Sequence, residues 1–289
     1  MKLLLVLYGE SYRSGSAQTR LRGIGNYIER QEFASMSHIK LIEEIEKNLK
    51  IKVDCFINTY KLNDKDDENL LNLYKNTNVS VIKSNFHENL LGEDGLFNNT
   101  YDEINEIFSN DDSYDFLFII RIDLYLKNFF IKNLKFDNNI QFTHLDSNLY
   151  ISGIDSLLEK TYIPAAVVSF IYPKAFFFLI KNKIVYNTGH NIYDVISKHV
   201  SENNVSFMVK TMHLCTSDHG WNPLYAQVGR KYSLNYNTCY ASQQYVDYIY
   251  DHSTNIVIKD NDKTINYWND YINNEEKKEN ELIGSILNK

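Results

Sequence analysis

The first half of the chain alternates short apolar runs with segments in which apolar residues recur every three or four positions. This alternation is typical of β-α-β units that surround a mostly parallel sheet, so we predict one main α/β domain whose sheet is flanked by helices. Strands are predicted at residues 3–7, 53–57, 79–82 and 116–122, and helices across residues 33–49, 64–74 and 101–108.

Two of these helices carry clear local signals. The acidic run from Asp64 to Glu68 favours a helix start, because negative side chains stabilise the N-terminal turn. The helix before it has a one-sided apolar pattern, which predicts its buried face. That face is expected to contain Phe33, Met36, Ile39, Ile42, Ile45 and Leu49.

The second half of the chain has a less regular pattern. Pro173 suits the first turn of a helix that continues through Phe177 and Ile180. Charged residues from position 273 onwards predict a solvated tail. Strands are predicted at residues 140–143, 167–172 and 205–209, a further helix at 192–200, and loops at 144–148 and 211–223.

Length, charge and cysteine content limit the function classes. At 289 residues the chain can bury a sizeable core. The formal net charge of −7, with lysine and arginine dispersed, argues against duplex nucleic acid as a partner. The three cysteines, Cys55, Cys215 and Cys239, show no C-x-x-C spacing, which favours a reducing compartment and no zinc cage.

No segment of the sequence predicts a membrane span. The apolar run at residues 3–7 is too short for a signal peptide, and no small-residue cleavage site follows it. Residues 175–180 are apolar, but Lys174 and Lys181 bound them, and a span needs about 20 residues. We therefore expect a soluble protein.

The predicted strand at residues 116–122 ends in two charged side chains, Arg121 and Asp123. Ligands of open α/β sheets bind beyond the carboxyl ends of the strands, so an acid at this point is well placed to hold a metal or phosphate. The alternative is a strand end whose two charges pair with each other in solvent.

The loop after the first strand combines glycine with arginine. Gly9 permits a close approach of the backbone to a ligand. Arg13, Arg20 and Arg22 suit a diphosphate, because a guanidinium fork matches phosphate oxygens. The spacing fits neither a Walker loop nor G-x-G-x-x-G, which argues against P-loop and dinucleotide sites. The alternative is a surface loop with ordinary solvated arginines.

A third cluster, Asp218-His219-Gly220-Trp221, lies in the predicted loop at residues 211–223. An imidazole can complete the coordination of a metal, and a carboxylate can act as a general base. Trp221 could close over a sugar ring. The alternative for His219 is a hydrogen-bonded surface histidine.

These segments resemble nucleotide-sugar glycosyltransferases of the GT-A type, especially the small enzymes that large DNA viruses of algae and amoebae encode. The resemblance is carried by the loop after residues 3–7, the helix start at residues 31–38, the strand at residues 53–57, and Ile120-Arg121-Ile122-Asp123-Leu124. It implies a GT-A, Rossmann-like fold and a hexosyl- or pentosyltransferase.

The resemblance also implies a division of the chain and a set of site residues. Residues 1–130 are expected to bind a UDP- or GDP-sugar, residues 131–272 to bind the acceptor and complete the metal site, and residues 273–289 to form the tail. Asp123 and His219 are the implied ligands of Mn²⁺ or Mg²⁺. The implied donor-binding residues are Tyr8, Gly9, Glu10, Ser11, Arg13, Asn58, Thr59, Tyr60 and Arg121.

One position departs from the Asp-x-Asp metal motif of that family, because Arg121 stands where the first aspartate would be. Asp123 is then the acid expected to bind the metal, and Arg121 is expected to reach a phosphate oxygen or a sugar hydroxyl. A cation beside a metal site is unfavourable unless phosphates lie between them.

Catalysis and partners follow from the same resemblance. An inverting enzyme needs a carboxylate to deprotonate the acceptor hydroxyl. The candidates for this base are, in order, Asp218, Asp146 and Asp194. A retaining enzyme needs no base in that position.

The expected partners are a UDP-sugar and an oligosaccharide or glycoprotein acceptor. The expected location is the cytoplasm, or the host cytoplasm if the chain is viral. The rival functions are a sugar nucleotidyltransferase and a carbohydrate-binding or virion structural protein that has lost catalysis.

Overall fold

The fold comes from a computed structural model, which describes residues 1–14, 21–23, 27–89, 91–126, 130–131, 134–143, 145–147, 162–164, 169–188, 192–208, 225–227, 248–251 and 256–259. The described strands are β1 (Lys2–Gly9), β2 (Arg13–Ser14), β3 (Leu21–Arg22), β4 (Lys52–Tyr60), β5 (Ser80–His87), β6 (Phe116–Arg121), β7 (Leu124–Leu126), β8 (Ile140–Phe142), β9 (Leu145–Ser147), β10 (Tyr162–Pro164), β11 (Ser169–Pro173), β12 (Val205–Phe207), β13 (Tyr225–Gln227), β14 (Tyr248–Asp251) and β15 (Ile256–Lys259). The described α-helices are α1 (Tyr27–Glu44), α2 (Asp64–Lys75), α3 (Gly92–Asn110), α4 (Phe178–Lys181) and α5 (Ile192–Ile196), and a π-helical turn, Ile45–Leu49, extends α1.

Seven of these strands form one mixed sheet, in the order β12-β8-β11-β6-β1-β4-β5. β1 is parallel to both of its neighbours, β4 and β6, and β5 continues the parallel set beside β4. β11 is antiparallel to β6 and β8, whereas β12 is parallel to β8, so within this sheet β11 is the reversed strand. The prediction of an α/β domain with a mostly parallel sheet flanked by helices is confirmed.

The alternation of side chains along β1 separates two apolar cores. Leu3, Leu5 and Leu7 are buried in a core that α1 and α2 cover on one face of the sheet. Leu4 and Val6 point to the other face and are buried with residues of α3, α4 and α5. The two faces follow from the two-residue period of a strand, and a parallel strand needs cover on both of them.

The predicted buried stripe of α1 is partly wrong. Ile42 and Ile45 are buried, but Met36 is 39% exposed and Leu49 is 44% exposed. Polar residues occupy much of the buried face, and two of them, Gln31 and Ser37, hydrogen-bond to the chain after β6. The buried polar residues of α1 are Gln31, Ser35, Ser37 and His38.

Other elements differ from the sequence prediction in their boundaries. Asn63 is the N-cap residue of α2, and its side-chain oxygen accepts from the backbone N–H of Asp66 at 2.9 Å. Asp146 lies in β9 and not in a loop, α5 is shorter than the helix predicted at residues 192–200, and β7 was not expected from the pattern. The predicted loop at residues 211–223 and the tail at residues 273–289 lie outside the described residues. No described helix is long and apolar enough to cross a membrane.

His38 is a buried titratable group beneath the end of β6. It is fully enclosed on α1, its Nδ1 lies 3.0 Å from the hydroxyl of Tyr74, and the two rings stack with centroids 6.5 Å apart. Burial lowers the pKa of His38 to about 4. The native protein therefore holds this imidazole neutral under conditions in which an exposed histidine is partly charged.

We predict that His38 makes the free energy of unfolding fall as the pH drops from 6.5 to about 4, because the unfolded chain binds this proton more readily than the native protein. The full contribution is about 3 kcal/mol, present above the ordinary histidine pKa and lost on acidification. His38→Gln cannot titrate and should lack this part of the pH dependence in urea unfolding. Parallel stability curves for the two proteins across this range would contradict the prediction.

Candidate functional site

The strand order reverses at β1. The chain passes from β1 to β4 and β5 on one side, and then returns to place β6 on the other side of β1. The connections that leave β1 and β6 therefore diverge, and open α/β sheets bind their ligands in the crevice at such a point, beyond the carboxyl ends of the strands. This point, between β1 and β6, is called the switch point below.

Several of the predicted donor-site residues meet at this edge of the sheet. Tyr8 is the register partner of Asn58 in β4 and of Arg121 in β6, and Gly9 is the partner of Thr59. The loop after β1 and the chain after β6 therefore start side by side. Residues that are about 50 to 110 positions apart in sequence become immediate neighbours.

Gly9 directs the chain out of β1. Its φ of +116° is a conformation that L side chains rarely adopt, which explains glycine at this position. Thr59 Oγ1 donates to the carbonyl oxygen of Gly9 at 2.7 Å and accepts from the N–H of Ser11 at 3.0 Å. On the other side, Ile122 N–H donates to the carbonyl oxygen of Tyr8 at 2.7 Å. The end of β1 is thus tied to both neighbouring strands.

Asp123 is the centre of a buried ion-pair network. Its side chain is fully enclosed, and Arg121 donates to it through Nε to Oδ1 at 3.0 Å and through Nη2 to Oδ2 at 2.6 Å. Arg13 Nη1, from the loop after β1, donates to the same Oδ2 at 3.3 Å. Arg13 Nε also lies 3.6 Å from Glu10 Oε2. Two guanidiniums, one from the end of β6 and one from β2, therefore converge on one carboxylate.

Gln31 connects α1 to both sides of the switch point. Its Nε2 donates to the carbonyl oxygen of Ile122 at 3.2 Å, and its Oε1 accepts from the N–H of Tyr12 at 2.8 Å. The side chain is fully buried. Sequence reasoning did not single out Gln31 as a site residue, although a glutamine on the covered side of a helix is a signal that a buried polar partner exists.

Arg22 binds the protein backbone. Its Nε and Nη2 donate to the carbonyl oxygens of Ser11 and Tyr60, at 2.8 Å and 2.6 Å, and Nη1 donates to the carbonyl oxygen of Lys61 at 3.1 Å. Nη2 also donates to Ser11 Oγ at 3.1 Å. Burial lowers the pKa of Arg22 from its ordinary value. Arg22, a sequence candidate for diphosphate binding, instead fastens the loop after β1 to the end of β4.

Three further donor-site candidates, Asn58, Tyr8 and Tyr60, have buried side chains that contact other residues of the chain. Asn58 is fully buried and donates through Nδ2 to Thr100 Oγ1 at 2.8 Å, while its Oδ1 lies 2.8 Å from His87 Nε2. Tyr8 and Tyr60 are 6% and 4% exposed. The ring of Phe97 lies beside Tyr8, and the ring of His87 lies beside Tyr60.

The acids and the histidine predicted in the second half are only partly described. Asp146 lies in β9, which pairs with β10, and Asp194 lies in α5. Asp218 and His219 lie outside the described residues. The general-base candidates and the metal-ligand role of His219 therefore stay predictions.

The described contacts of Asp123 do not favour a divalent cation at this carboxylate. Both carboxylate oxygens already accept from guanidiniums. Among the described residues, no group of three or more His, Cys, Asp or Glu side chains is placed to hold a metal. Two like unit charges about 4 Å apart repel by about 4 kcal/mol at an effective dielectric constant of about 20, so a metal beside these arginines would be costly unless phosphates lie between them. The metal-ligand role of Asp123 stays a prediction that these contacts do not favour.

Comparisons with known proteins give distant similarities of fold. No protein-family model matches the sequence, and the search of curated proteins finds no match. Among solved structures, the galactosyltransferase LgtC, in complex with donor and acceptor sugar analogs, is 8% identical over 72% of this chain and 73% of its own, with a TM-score of 0.35.

Two further solved structures are similar to this chain, and one is named a CTP transferase and the other a glycosyltransferase. The inositol-1-phosphate CTP transferase from T. maritima is 14% identical over 85% of this chain and 93% of its own, with a TM-score of 0.43. The glycosyltransferase GlyE in Streptococcus pneumoniae TIGR4 is 11% identical over 71% of this chain and 44% of its own, with a TM-score of 0.35. At these identities and TM-scores, the likenesses assign neither a reaction nor a substrate to this chain.

We predict that Asp123→Ala lowers the free energy of unfolding by about 3–5 kcal/mol, because it leaves two largely buried guanidiniums without their shared carboxylate. The matched control is Asp111→Ala, which removes a 41% exposed carboxylate from Lys2 and should lower the free energy of unfolding far less, because solvent screens an exposed ion pair. Urea unfolding measures both. A loss for Asp123→Ala no larger than that of the control would contradict the prediction.

We predict that Arg22→Gln lowers the free energy of unfolding by about 1–3 kcal/mol, because carbonyl groups of Ser11, Tyr60 and Lys61 lose their donor. Arg22→Lys should recover only part of this loss, because a single ammonium cannot reproduce the guanidinium fork. Urea unfolding gives the stabilities, and hydrogen exchange at Ser11 N–H reports the loop. Full recovery in the lysine variant would show that charge alone matters at this position.

Proposed function

We propose that this chain is a GT-A type glycosyltransferase, which transfers a sugar from a nucleotide-sugar donor to a hydroxyl group of a glycan. The observation that carries the proposal is the pair of guanidiniums of Arg13 and Arg121 at the switch point between β1 and β6. In an open α/β sheet this is the position at which a ligand is expected.

The chemistry of the cluster supports an anionic ligand with two phosphate groups. A guanidinium presents several donors in a plane that matches pairs of phosphate oxygens. Gly9 adds a stretch of backbone without a side chain beside the same crevice. Among the described arginines of this region, Arg22 is engaged with backbone carbonyls, so we assign Arg13 and Arg121 to the diphosphate. Arg20, the other arginine of the loop after β1, lies outside the described residues.

In the proposed reaction, the bond between the anomeric carbon and the β-phosphate oxygen breaks, and the acceptor oxygen forms the new bond to that carbon. Arg121 and Arg13 stabilise the negative charge that develops on the departing nucleoside diphosphate. The proton of the acceptor hydroxyl passes to a carboxylate if the enzyme is inverting, and Asp218, Asp146 and Asp194 are the proposed candidates. A retaining reaction would need no base in that position.

The proposal also includes the donor nucleotide, the transferred sugar and the acceptor. We favour a UDP-sugar as donor, over a GDP-sugar, and a hexose or pentose as the transferred sugar. The acceptor is an oligosaccharide or a glycoprotein glycan, bound by residues 131–272. The sequence resemblance implies Mn²⁺ or Mg²⁺, so the activity is to be measured both with and without these ions.

We predict that the purified protein releases UDP or GDP from one class of nucleotide-sugar in a panel of donors, and that this donor raises the melting temperature of the protein. The assay is run with Mn²⁺, with Mg²⁺ and with a chelator, and a coupled enzyme detects the released nucleotide. Lys83→Gln is expected to keep this activity, because Lys83 lies on the edge strand β5, away from the switch point, and contacts Glu103 and Glu106 of α3.

Two other results would contradict the assignment. Release of pyrophosphate from a nucleoside triphosphate and a sugar 1-phosphate would identify a nucleotidyltransferase. An unchanged melting temperature with every donor, together with the absence of turnover, would favour a carbohydrate-binding or structural protein.

A further inference from the structure

The carboxylate at the switch point is enclosed, whereas one of its partners is accessible. Asp123 has a side-chain exposure of 0%, Arg13 of 8% and Arg121 of 19%. A ligand that enters from solvent therefore meets a guanidinium before it meets the carboxylate. This order of access is the reverse of what a carboxylate ligand to a metal ion requires.

We propose that the nucleoside diphosphate is bound here by Arg121 and Arg13 without a divalent cation, and that Asp123 is a positioning residue for these two guanidiniums. The inference rests on the proposed function and specifies how the same site neutralises its anionic ligand. The two arginines supply hydrogen-bond donors at fixed positions for the phosphate oxygens, while Asp123 and Glu10 balance part of their charge.

The geometry of the network supports this role for Asp123. Its bidentate pairing with Nε and Nη2 fixes the plane of the Arg121 guanidinium. The third contact, from Arg13 Nη1 to Oδ2, ties the loop after β1 to the same carboxylate. A cation that took Asp123 as a ligand would have to displace the guanidinium donors that both carboxylate oxygens already accept.

The charges around the two arginines differ. Glu10 Oε2 lies 3.6 Å from Arg13 Nε and offsets part of the charge on Arg13. Arg121 is the more exposed of the two and contacts Asp123 through two hydrogen bonds. Arg121 is therefore assigned the larger share of the interaction with the diphosphate, and it is the residue to test first.

The first experiment measures binding of UDP, GDP and inorganic pyrophosphate to the wild-type protein by calorimetry, in EDTA and in Mn²⁺ or Mg²⁺. We expect at least one nucleoside diphosphate to bind in EDTA, with a Kd within about threefold of its value with metal. Arg121→Gln should weaken this binding by about 10- to 100-fold, because it removes a charge-assisted interaction. Arg121→Lys, which keeps the charge but not the fork, should recover part of it.

The second experiment separates positioning from a purely structural effect. Asp123→Asn is compared with Asp54→Asn. Asp54 is another buried carboxylate, but it lies at the opposite end of the sheet, where it contacts Lys2 and Tyr114, each at 2.9 Å. Asp123→Asn should weaken binding of the nucleoside diphosphate by the same factor in EDTA and in Mn²⁺. Asp54→Asn should leave binding unchanged even where it lowers the melting temperature.

The outcomes distinguish this inference from the proposed function. Binding that requires Mn²⁺ or Mg²⁺ and disappears in EDTA would overturn the inference and leave the glycosyltransferase assignment intact. Wild-type affinity in folded Arg121→Gln, or an Asp123→Asn variant that loses only a metal-supported part of binding, would also overturn it. If neither nucleoside diphosphate nor any nucleotide-sugar binds under either condition, the proposed function fails as well.

Discussion

A carboxylate that is removed from water needs partners that keep it charged, and much of the candidate site follows from this constraint at Asp123. Arg121 meets the requirement from the end of β6, two residues before Asp123, and Arg13 meets it from the segment after β1, 110 positions before Asp123. The ion-pair network thereby joins the two loops that border the switch point. The positions of both guanidiniums are set by the folded state.

A second set of polar contacts, made by residues of α1 and β4, holds the backbone around this network. Gln31 on α1 holds the backbone of Ile122 and Tyr12, and Thr59 holds the backbone of Gly9 and Ser11. These contacts fix main-chain positions around the site before any ligand arrives. Fixed dipoles and charges need no reorganisation when charge develops in a reaction, which is the physical basis for a role in transfer chemistry.

The same contacts explain where sequence reasoning about α1 failed. An apolar stripe was expected to define the buried face, yet Met36 is 39% exposed while Gln31 and His38 are fully enclosed. Some residues of α1 pack against the sheet, and others hydrogen-bond to the chain after β6. A periodicity argument treats burial as apolar, so it cannot recognise a buried polar residue whose partner is a distant backbone group.

The sequence by itself determined the alternation of strands and helices and the presence of charged residues at the ends of β1 and β6. These features depend on local periodicity and on side chains near one another in the chain. Only the tertiary structure decided what each charge does. The strand order places β1 between β4 and β6, so Arg13 and Arg121 share Asp123, while Arg22 binds the carbonyl oxygens of Ser11 and Tyr60. Such pairings join residues that are far apart in the chain, and no local pattern encodes them.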